Sequence, residues 1–348
     1  MLRLGIVGTG SMAEYHAKRF AGVSGVRVAA VCDHQRARAG AFAEARGLRA
    51  FDDPADMAAS GKVDAITVAS FDGWHKAPVL AALDRGLPVF CEKPLARDYG
   101  DAAEMAAASA GSGVPAVVNF SKRNGGLLSL ARKAIADGEL GGELRLELSY
   151  LQSWLLQDSW GAWRSTARWK WRLSESRSTH GALGDLGSHL LDAALLLAGE
   201  SLDARACLGR RFRDTSPPPG EPSFEPEGGG SFEGFEARLV AASAVAGLVA
   251  DWRAEGKIDA FAVRAEGKSG SIEIDPASSR DSIFIRRRGD GPRELRPGPV
   301  PSTYERFAAI AAGCADPLPE EPIDFGRGLA VQKLIEDCAS LAHSAFAH

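Results

Sequence analysis

Short apolar runs alternate with amphipathic stretches through the first third of the chain. Leu2–Val7, Val26–Cys32, Ala65–Ala69, Pro88–Cys91 and Pro115–Phe120 are apolar and too short for helices, so they read as strands. Between them Ser11–Ala21, Gln35–Arg46, Ala77–Arg85 and Asp98–Ala110 carry helical periodicity, and Gly86 closes the third of these. Strands that alternate with helices pair in parallel through right-handed crossovers. Strands apolar on both faces need a sheet covered on both sides.

The rhythm changes after about residue 122. Leu127–Asp137 reads as a helix, Glu143–Ser153 as a strand, and Ala182–Ala198 as a long apolar helix. Strands then follow one another without intervening helices: Ala237–Ala241, Gly247–Arg253, Phe261–Glu266, Ser271–Ile274 and Ser282–Arg287. That pattern predicts a mainly antiparallel sheet. Ser216–Gly230, rich in Pro and Gly, reads as a mobile loop. Tyr304–Ala312 and Gly326–Ala345 are helical and close the chain. The expected division is a dinucleotide-binding domain over 1–121 and a substrate-binding and oligomerisation domain over 122–348, with the closing helices free to pack back on the first.

Composition narrows the partners. A net charge of −4 and a pI near 6.0 give no reason to expect nucleic acid or a membrane surface. The 5 cysteines are scattered without a Cys-x-x-Cys pair, so reduced thiols and a cytoplasmic setting are expected. The N-terminus has no signal-peptide layout. No apolar run approaches the roughly 20 residues a membrane helix needs. No His/Cys/Asp cluster has metal-ligand spacing, so no metal is expected.

The chemistry starts at Gly8-Thr9-Gly10-Ser11-Met12-Ala13, which fits G-x-G-x-x-G/A between a strand and a helix. Gly8 permits the tight turn, Gly10 lets pyrophosphate approach the backbone, and Ala13 allows close helix–strand packing. The N–H groups near Ser11 and Met12 would bind the pyrophosphate with help from the helix dipole. Asp33, at the end of the second strand, can accept from ribose hydroxyls and repels a 2′-phosphate, which favours NAD. Arg36 and Arg38 lie close by and keep NADP open. Cys91-Glu92-Lys93-Pro94 stands at the carboxyl end of a strand, where open parallel sheets bind ligands. A lysine there can donate to a reacting oxygen.

Two longer runs carry a resemblance. His75-x7-Ala82-Leu83-x2-Gly86-x3-Phe90-Cys91-Glu92-Lys93-Pro94-Leu95 and Gly184-Asp185-Leu186-Gly187-Ser188-His189-Leu190-Leu191-Asp192 look like the glucose–fructose oxidoreductase/inositol dehydrogenase (Gfo/Idh/MocA) family. The resemblance implies an α/β protein: an N-terminal Rossmann domain with a doubly wound parallel sheet, then an α+β domain with a large, mainly antiparallel open sheet. It implies NAD(P)-dependent chemistry on sugars and cyclitols, and dimers or tetramers formed through that sheet. The family's Glu-Lys-Pro lysine maps onto Lys93 and its Asp-x3-His pair onto Asp185 and His189. Cofactor contacts are expected from Ser70, His75, Glu92 and Lys93 as well as from the cradle. The chain departs from the family twice. Ser70-Phe71-Asp72-Gly73-Trp74-His75 stands where many members carry Thr-Pro-Asn before the histidine. His180 stands in the approach to Asp185, where many have consecutive glycines, and is a candidate for shaping substrate selection.

Asp185 and His189 are four apart and share a face if the segment is α-helical. His189 can exchange a proton with an alcohol, while Asp185 orients the ring or grips a hydroxyl. Trp154, Trp160, Trp163, Trp169 and Trp171 are interleaved with Arg164, Arg168, Lys170 and Arg172. Indole faces stack on sugar rings and guanidinium groups donate to hydroxyls, so Trp163, Arg172 and, from further upstream, Arg123 join His180 as substrate candidates. The expected reaction is hydride transfer between the nicotinamide and a carbinol carbon, with His189 as base and Lys93 stabilising the oxygen. A reductase of keto-sugars or imines stays within that class. The alternative from another class is a non-catalytic, cofactor-sensing regulator or binding protein on the same fold.

Overall fold

The computed structural model describes residues 1–157, 160–215, 217, 219, 222–275 and 281–345, and the side chains at 167, 168 and 343–345 are likewise outside the description. Ser216, Pro218, Gly220 and Glu221 of the Pro- and Gly-rich stretch lie outside the described residues, as does the Arg168 side chain of the Trp-rich segment. By internal contacts the chain divides into one unit comprising Met1–Asn124 and Pro301–Gln332, and a second comprising Gly125–Val300 and Lys333–His348.

The first unit opens with β1 (Leu2–Val7), α1 (Ser11–Ala21), β2 (Val26–Cys32), α2 (Arg36–Glu44), β3 (Arg49–Phe51), α3 (Pro54–Ala59) and β4 (Ala65–Val68). It continues with α4 (Lys76–Leu83), β5 (Val89–Cys91), α5 (Tyr99–Ser112) and β6 (Ala116–Val118). The six strands are parallel in the order β3-β2-β1-β4-β5-β6. Chain direction across the sheet reverses between β1 and β4, which opens a crevice beyond their carboxyl ends. β4, β5 and β6 are buried along their whole length, as a sheet covered on both faces demands. Two helix starts are fixed by acidic caps: Asp53 accepts from Ala55 and Asp56 N–H, and Asp98 from Asp101 N–H.

The second unit contains α6 (Leu127–Ala136), β7 (Leu144–Leu151), α7 (Ala167–Lys170), α8 (Ser188–Ala198) and β8 (Asp203–Arg211). Strands β9 (Phe232–Val240), β10 (Ala244–Asp251), β11 (Ala260–Glu266), β12 (Gly270–Ile274), β13 (Ile283–Arg287) and β14 (Arg293–Leu295) follow. They form an eight-stranded sheet in the order β14-β13-β12-β11-β7-β10-β9-β8. All pairings are antiparallel except β7 with β10. β7 alternates buried and less buried positions, the mark of a sheet with one covered face. Leu208, Val245 and Val249 remain 58%, 49% and 37% exposed on β8 and β10.

α9 (Thr303–Ala311) begins with a capping box between Ser302 and Glu305 and belongs to the first unit. Its Tyr304 ring lies 4.9 Å from Phe20 and 5.0 Å from Phe90, and Phe307 lies 5.3 Å from Phe90. Edge and tilted aromatic pairs of this kind contribute about 0.5–1.5 kcal/mol each beyond their buried area. The last helix, α10 (Phe325–Ala345), contains the boundary between the units at Gln332.

Candidate functional site

The first unit carries the cradle at the carboxyl end of β1. Gly8 has φ +101°, and a Cβ there would stand 2.9 Å from the Ala69 carbonyl oxygen. Only glycine fits both the dihedral and the approach. Gly10 is the N-cap of α1 with φ −80° and ψ −174°, ordinary extended backbone, and a Cβ there would meet nothing within 4 Å. α1 thus starts with first-turn N–H groups that no side chain caps. Uncapped N–H groups at a helix start, facing open space and backed by the helix dipole, suit an anion such as pyrophosphate. Ala13 is fully buried among Ile6, Val31, Phe42, Ala43 and Ala69, so its small size sets how closely α1 lies on the sheet.

Asp33 is 6% exposed at the end of β2. Its Oδ2 accepts from Thr9 Oγ1 at 2.5 Å and its Oδ1 from the Gln35 N–H at 3.0 Å. Arg38 Nη2 stands 3.8 Å from the same carboxylate, and the Arg36 side chain is 90% exposed. Beside it the His34 ring lies 4.7 Å from the Trp74 ring, and Trp74 and Phe71 are 56% and 51% exposed. Ser70 Oγ donates to the Trp74 carbonyl at 3.3 Å. His75 is 1% exposed, with its two ring nitrogens each 3.1 Å from a carbonyl oxygen, those of Leu95 and Ser70. It braces the loop that presents Ser70 and Trp74 against the turn that follows Lys93.

Lys93 follows β5. Its backbone N–H donates to Glu92 Oε2 at 3.2 Å. Glu92 Oε1 accepts from Asn119 Nδ2 at 2.7 Å and lies 2.9 Å from His16 Nε2. Burial works to raise the Glu92 carboxyl, but the His16 contact and charge, the Lys93 charge and the Asn119 bond outweigh it and leave it below the usual carboxylate range. Arg123 is 3% exposed, 3.8 Å from the Glu321 carboxylate, inside this same unit.

In the second unit Leu183–Gly187 forms a π-helical turn that runs straight into α8. Such turns recur at functional sites. Glycine is required twice: a Cβ on Gly184 would fall 2.1 Å from the Thr179 carbonyl oxygen, and one on Gly187 would press on the Phe235 ring at 2.9 Å. Asp185 lies within the turn, and His189 is the second residue of α8. Arg172 Nε stands 3.6 Å from Asp185 Oδ2, and its guanidinium lies over Trp169 at 5.0 Å and Trp171 at 4.5 Å. His189 is 5% exposed, and the Tyr150 ring is 5.9 Å from it. Tyr150 donates to Asp259 Oδ1 at 2.5 Å, and burial first, then the Asp259 charge, pushes its hydroxyl well above its usual pKa.

His180 has φ +53° and is held between Glu175, 3.3 Å from Nδ1, and Glu336, 3.2 Å from Nε2. Burial works to lower its pKa, but the two carboxylates outweigh it and raise it to about 9. Arg211 donates to the same Glu175 at 2.9 Å. Trp163 is 7% exposed and packs edge-on against Phe212 at 5.6 Å and Phe224 at 5.9 Å. His16, Asn119 and Tyr304, and the Tyr150–Asp259 pair, escape a reading by motif. The one trace of the first group is a histidine among Ala13 and Phe20 on the buried face of α1. Among the described residues no group of three or more His, Cys, Asp or Glu could hold a metal ion. No helix among them is long and apolar enough to cross a membrane.

The six-stranded order, the glycine cradle and Asp33 define a dinucleotide-binding α/β protein, followed here by a unit built on a large mixed sheet. Residues 2–120 match the model of the oxidoreductase family with an NAD-binding Rossmann fold, and residues 128–274 match the Gfo/Idh/MocA C-terminal domain. The chain belongs to the Gfo/Idh/MocA oxidoreductase family, and its first unit is the NAD-binding Rossmann domain. It is 36% identical over 148 residues to an inositol 2-dehydrogenase of Mycolicibacterium gilvum, covering 42% of each chain. It is 27% identical to the scyllo-inositol 2-dehydrogenase (NADP(+)) of Bacillus subtilis, over 97% of this chain and 96% of that one. The fold is shared with an inositol dehydrogenase homolog from Azotobacter vinelandii, solved with NAD+: TM-score 0.82, 20% identity, 99% of this chain and 95% of that one.

Proposed function

We propose that the protein is a nicotinamide-dependent dehydrogenase that moves a hydride between NAD and a carbinol or carbonyl carbon of a sugar, cyclitol or related polyol. The observation that carries the reading lies within the first unit. A cradle with room beside Gly10 and uncapped helix N–H groups stands on the same sheet edge as Lys93, which a buried carboxylate backs. The similarity to proteins named inositol 2-dehydrogenase and scyllo-inositol 2-dehydrogenase supports a polyol substrate.

Gly8, Gly10, Ser11 and Met12 hold the pyrophosphate through the backbone. Asp33 takes the adenosine ribose hydroxyls and disfavours a 2′-phosphate, which selects NAD. The exposed Trp74 and His34 rings flank the adenine, in the loop where the chain departs from its family. When bound, the dinucleotide accepts or supplies the hydride. His189 takes the hydroxyl proton during oxidation, and Lys93 donates to the substrate oxygen and stabilises its developing charge. Asp185 grips a neighbouring hydroxyl while Arg172, stacked on two indoles, fixes its orientation. The apolar side chains left open on β8 and β10 pair with a second copy of the chain.

The test is a screen of sugars and cyclitols with NAD and NADP, repeated on Lys93→Met and His189→Ala. The expected result is NADH formation with a polyol, lost in both variants while both still bind cofactor. Near-normal turnover in both variants would refute the assignment.

A further inference from the structure

Behind Lys93 lies a group of buried polar side chains that the reaction described above does not use. His16, Asn119, Thr303 and Tyr304 are 0%, 2%, 1% and 1% exposed, and Glu92 is 6% exposed. They come from α1, the end of β6, α9 and the turn after β5, and all belong to the first unit. His16 Nε2 faces Glu92 Oε1 at 2.9 Å, and His16 Nδ1 lies 3.0 Å from the Tyr304 hydroxyl. Asn119 Nδ2 donates to Glu92 at 2.7 Å and reaches the Tyr304 hydroxyl at 3.4 Å, while Thr303 donates to Asn119 Oδ1 at 2.9 Å.

We infer that His16, with Tyr304 and Asn119 behind it, is a positioning residue for Lys93: the network ties the helix that binds the pyrophosphate to the turn that carries the lysine. The inference rests on the catalytic reading of Lys93.

Glu92 as carboxylate only accepts. His16 Nε2 faces the Glu92 carboxylate across 2.9 Å, and its Nδ1 shares a hydrogen with the Tyr304 hydroxyl at 3.0 Å. Tyr304 has a proton to give, because burial, then the Glu92 charge, holds its hydroxyl well above its usual pKa. Asn119 donates to both. Glu92 in turn accepts the Lys93 backbone N–H. Any displacement of Glu92 is therefore passed to the backbone of Lys93, and Glu92 is held by a residue of α1, whose N-terminus is the cradle.

Stability alone does not account for the arrangement. A buried carboxylate and its partners can often be replaced by packed apolar residues with no loss of stability. The surrounding Phe20, Phe90 and Phe307 supply apolar cover already. What the polar network adds is direction: hydrogen bonds fix the carboxylate to a fraction of an ångström, and a misplacement of about 1 Å at a reacting group can cost about 100-fold in rate. The ionisable groups acting on Glu92 are His16 from α1, Lys93 and Cys91 from its own segment and Tyr304 from α9.

The experiment compares His16→Phe, His16→Gln, Tyr304→Phe and Lys93→Met in the full chain. Turnover is expressed per cofactor-binding site counted by NADH titration, and kcat is followed from acid to alkaline pH. His16→Phe is expected to keep the cofactor Kd within about threefold and to lower kcat about 10–100-fold. Its acid limb moves to higher pH, because Glu92 has lost the contact that held it ionised. His16→Gln, which restores a donor, recovers most of the rate. Tyr304→Phe removes only a hydroxyl, leaves the aromatic packing intact, and lowers kcat several-fold. Lys93→Met inactive, with His16→Phe and Tyr304→Phe unchanged in kcat and pH profile, overturns the inference and leaves the reaction standing. Lys93→Met as active as the unaltered chain removes the reaction assigned to Lys93, and the inference with it.

Discussion

Gly8 and Gly10 lie two residues apart in one motif, yet they are glycine for different reasons, and substitution separates them. Gly8 holds φ +101°, and a Cβ would sit 2.9 Å from the Ala69 carbonyl oxygen and 3.0 Å from its carbon. The dihedral alone costs a side-chain-bearing residue about 1–3 kcal/mol. Forcing backbone apart in a packed region adds about 1–3 kcal/mol more. The sum is about 2–6 kcal/mol, so Gly8→Ala should lower the melting temperature by about 4–24 °C, at roughly 2–4 °C per kcal/mol for a unit of this size. Gly10 differs in both respects. Its φ of −80° suits alanine, and its Cβ would meet no protein atom within 4 Å. Gly10→Ala should change the stability of the free protein by no more than about 1 kcal/mol, the scale of a cap substitution.

On the proposed reading, the new methyl group at Gly10 meets the cofactor. Charge-assisted hydrogen bonds contribute about 1.5–3 kcal/mol each, so losing one weakens binding about 10–100-fold. Ligand-induced stabilisation gives the assay. At 100 times the unaltered protein's Kd, NAD should stabilise it by about 2.7 kcal/mol, but a variant weakened 100-fold only by about 0.4 kcal/mol. Melting curves with and without NAD, together with direct NAD titration, measure both quantities. Gly10→Ala binding NAD within threefold of the unaltered protein would refute the cradle assignment. So would Gly10→Ala melting as low as Gly8→Ala, because the methyl group would then be meeting protein.

Trp74→Ala should weaken NAD about 3–10-fold, the worth of one aromatic stacking contact, and leave binding of the nicotinamide mononucleotide half unchanged. Equal losses for both ligands would place the ring elsewhere. Asp33→Ala should narrow the preference for NAD over NADP, read as the ratio of the two dissociation constants; an unchanged ratio would remove Asp33 from the ribose site. His180 is raised to about 9 in the fold against 6.5 for an ordinary histidine, so its stabilisation is complete below pH 6.5 and is lost as pH rises through 9. The whole effect is at most about 3.4 kcal/mol. Melting of the unaltered protein should fall across that interval more than melting of His180→Gln, and parallel curves would contradict the Glu175–His180–Glu336 clamp. If the open face of the second sheet pairs copies of the chain, Val249→Arg should lower the molar mass measured by light scattering; an unchanged mass would remove this face as the interface.

Most of the first unit was legible because its elements are defined locally. The apolar runs gave β1 and β2 their observed bounds, and the cradle, Asp33 and Lys93 stand where strand ends put them. β3 and α3 escaped for a local reason as well. Arg49–Phe51 is three residues with only Phe51 partly covered, too little for period-two alternation to register. Pro54–Ala59 is a helix of six residues, announced only by Asp53 and Pro54. β14, Arg293–Leu295, is another three-residue strand with two exposed positions. The His16–Tyr304 contact joins residues 288 apart, and no periodicity within α1 or α9 says that their buried faces meet.

The π-helical turn marks a different limit. Equating a four-residue spacing with a shared helix face assumes about 100° of rotation per residue throughout. A π turn closes i→i+5 bonds and so accommodates one residue more than an α turn would. Whatever precedes Leu183–Gly187 is rotated by about one α-helical step relative to α8, and Asp185 lies inside the turn where that offset accumulates. The orientation of Asp185 is therefore set by the two close approaches, Gly184 against Thr179 and Gly187 against Phe235, and by Arg172 on the Trp169 and Trp171 rings. None of these is an i,i+4 relation to His189. On this geometry Arg172→Ala should disturb Asp185 before His189, raising KM for a polyol more than it lowers kcat. A variant that lowered kcat and left KM alone would mean that Asp185 acts through the imidazole instead.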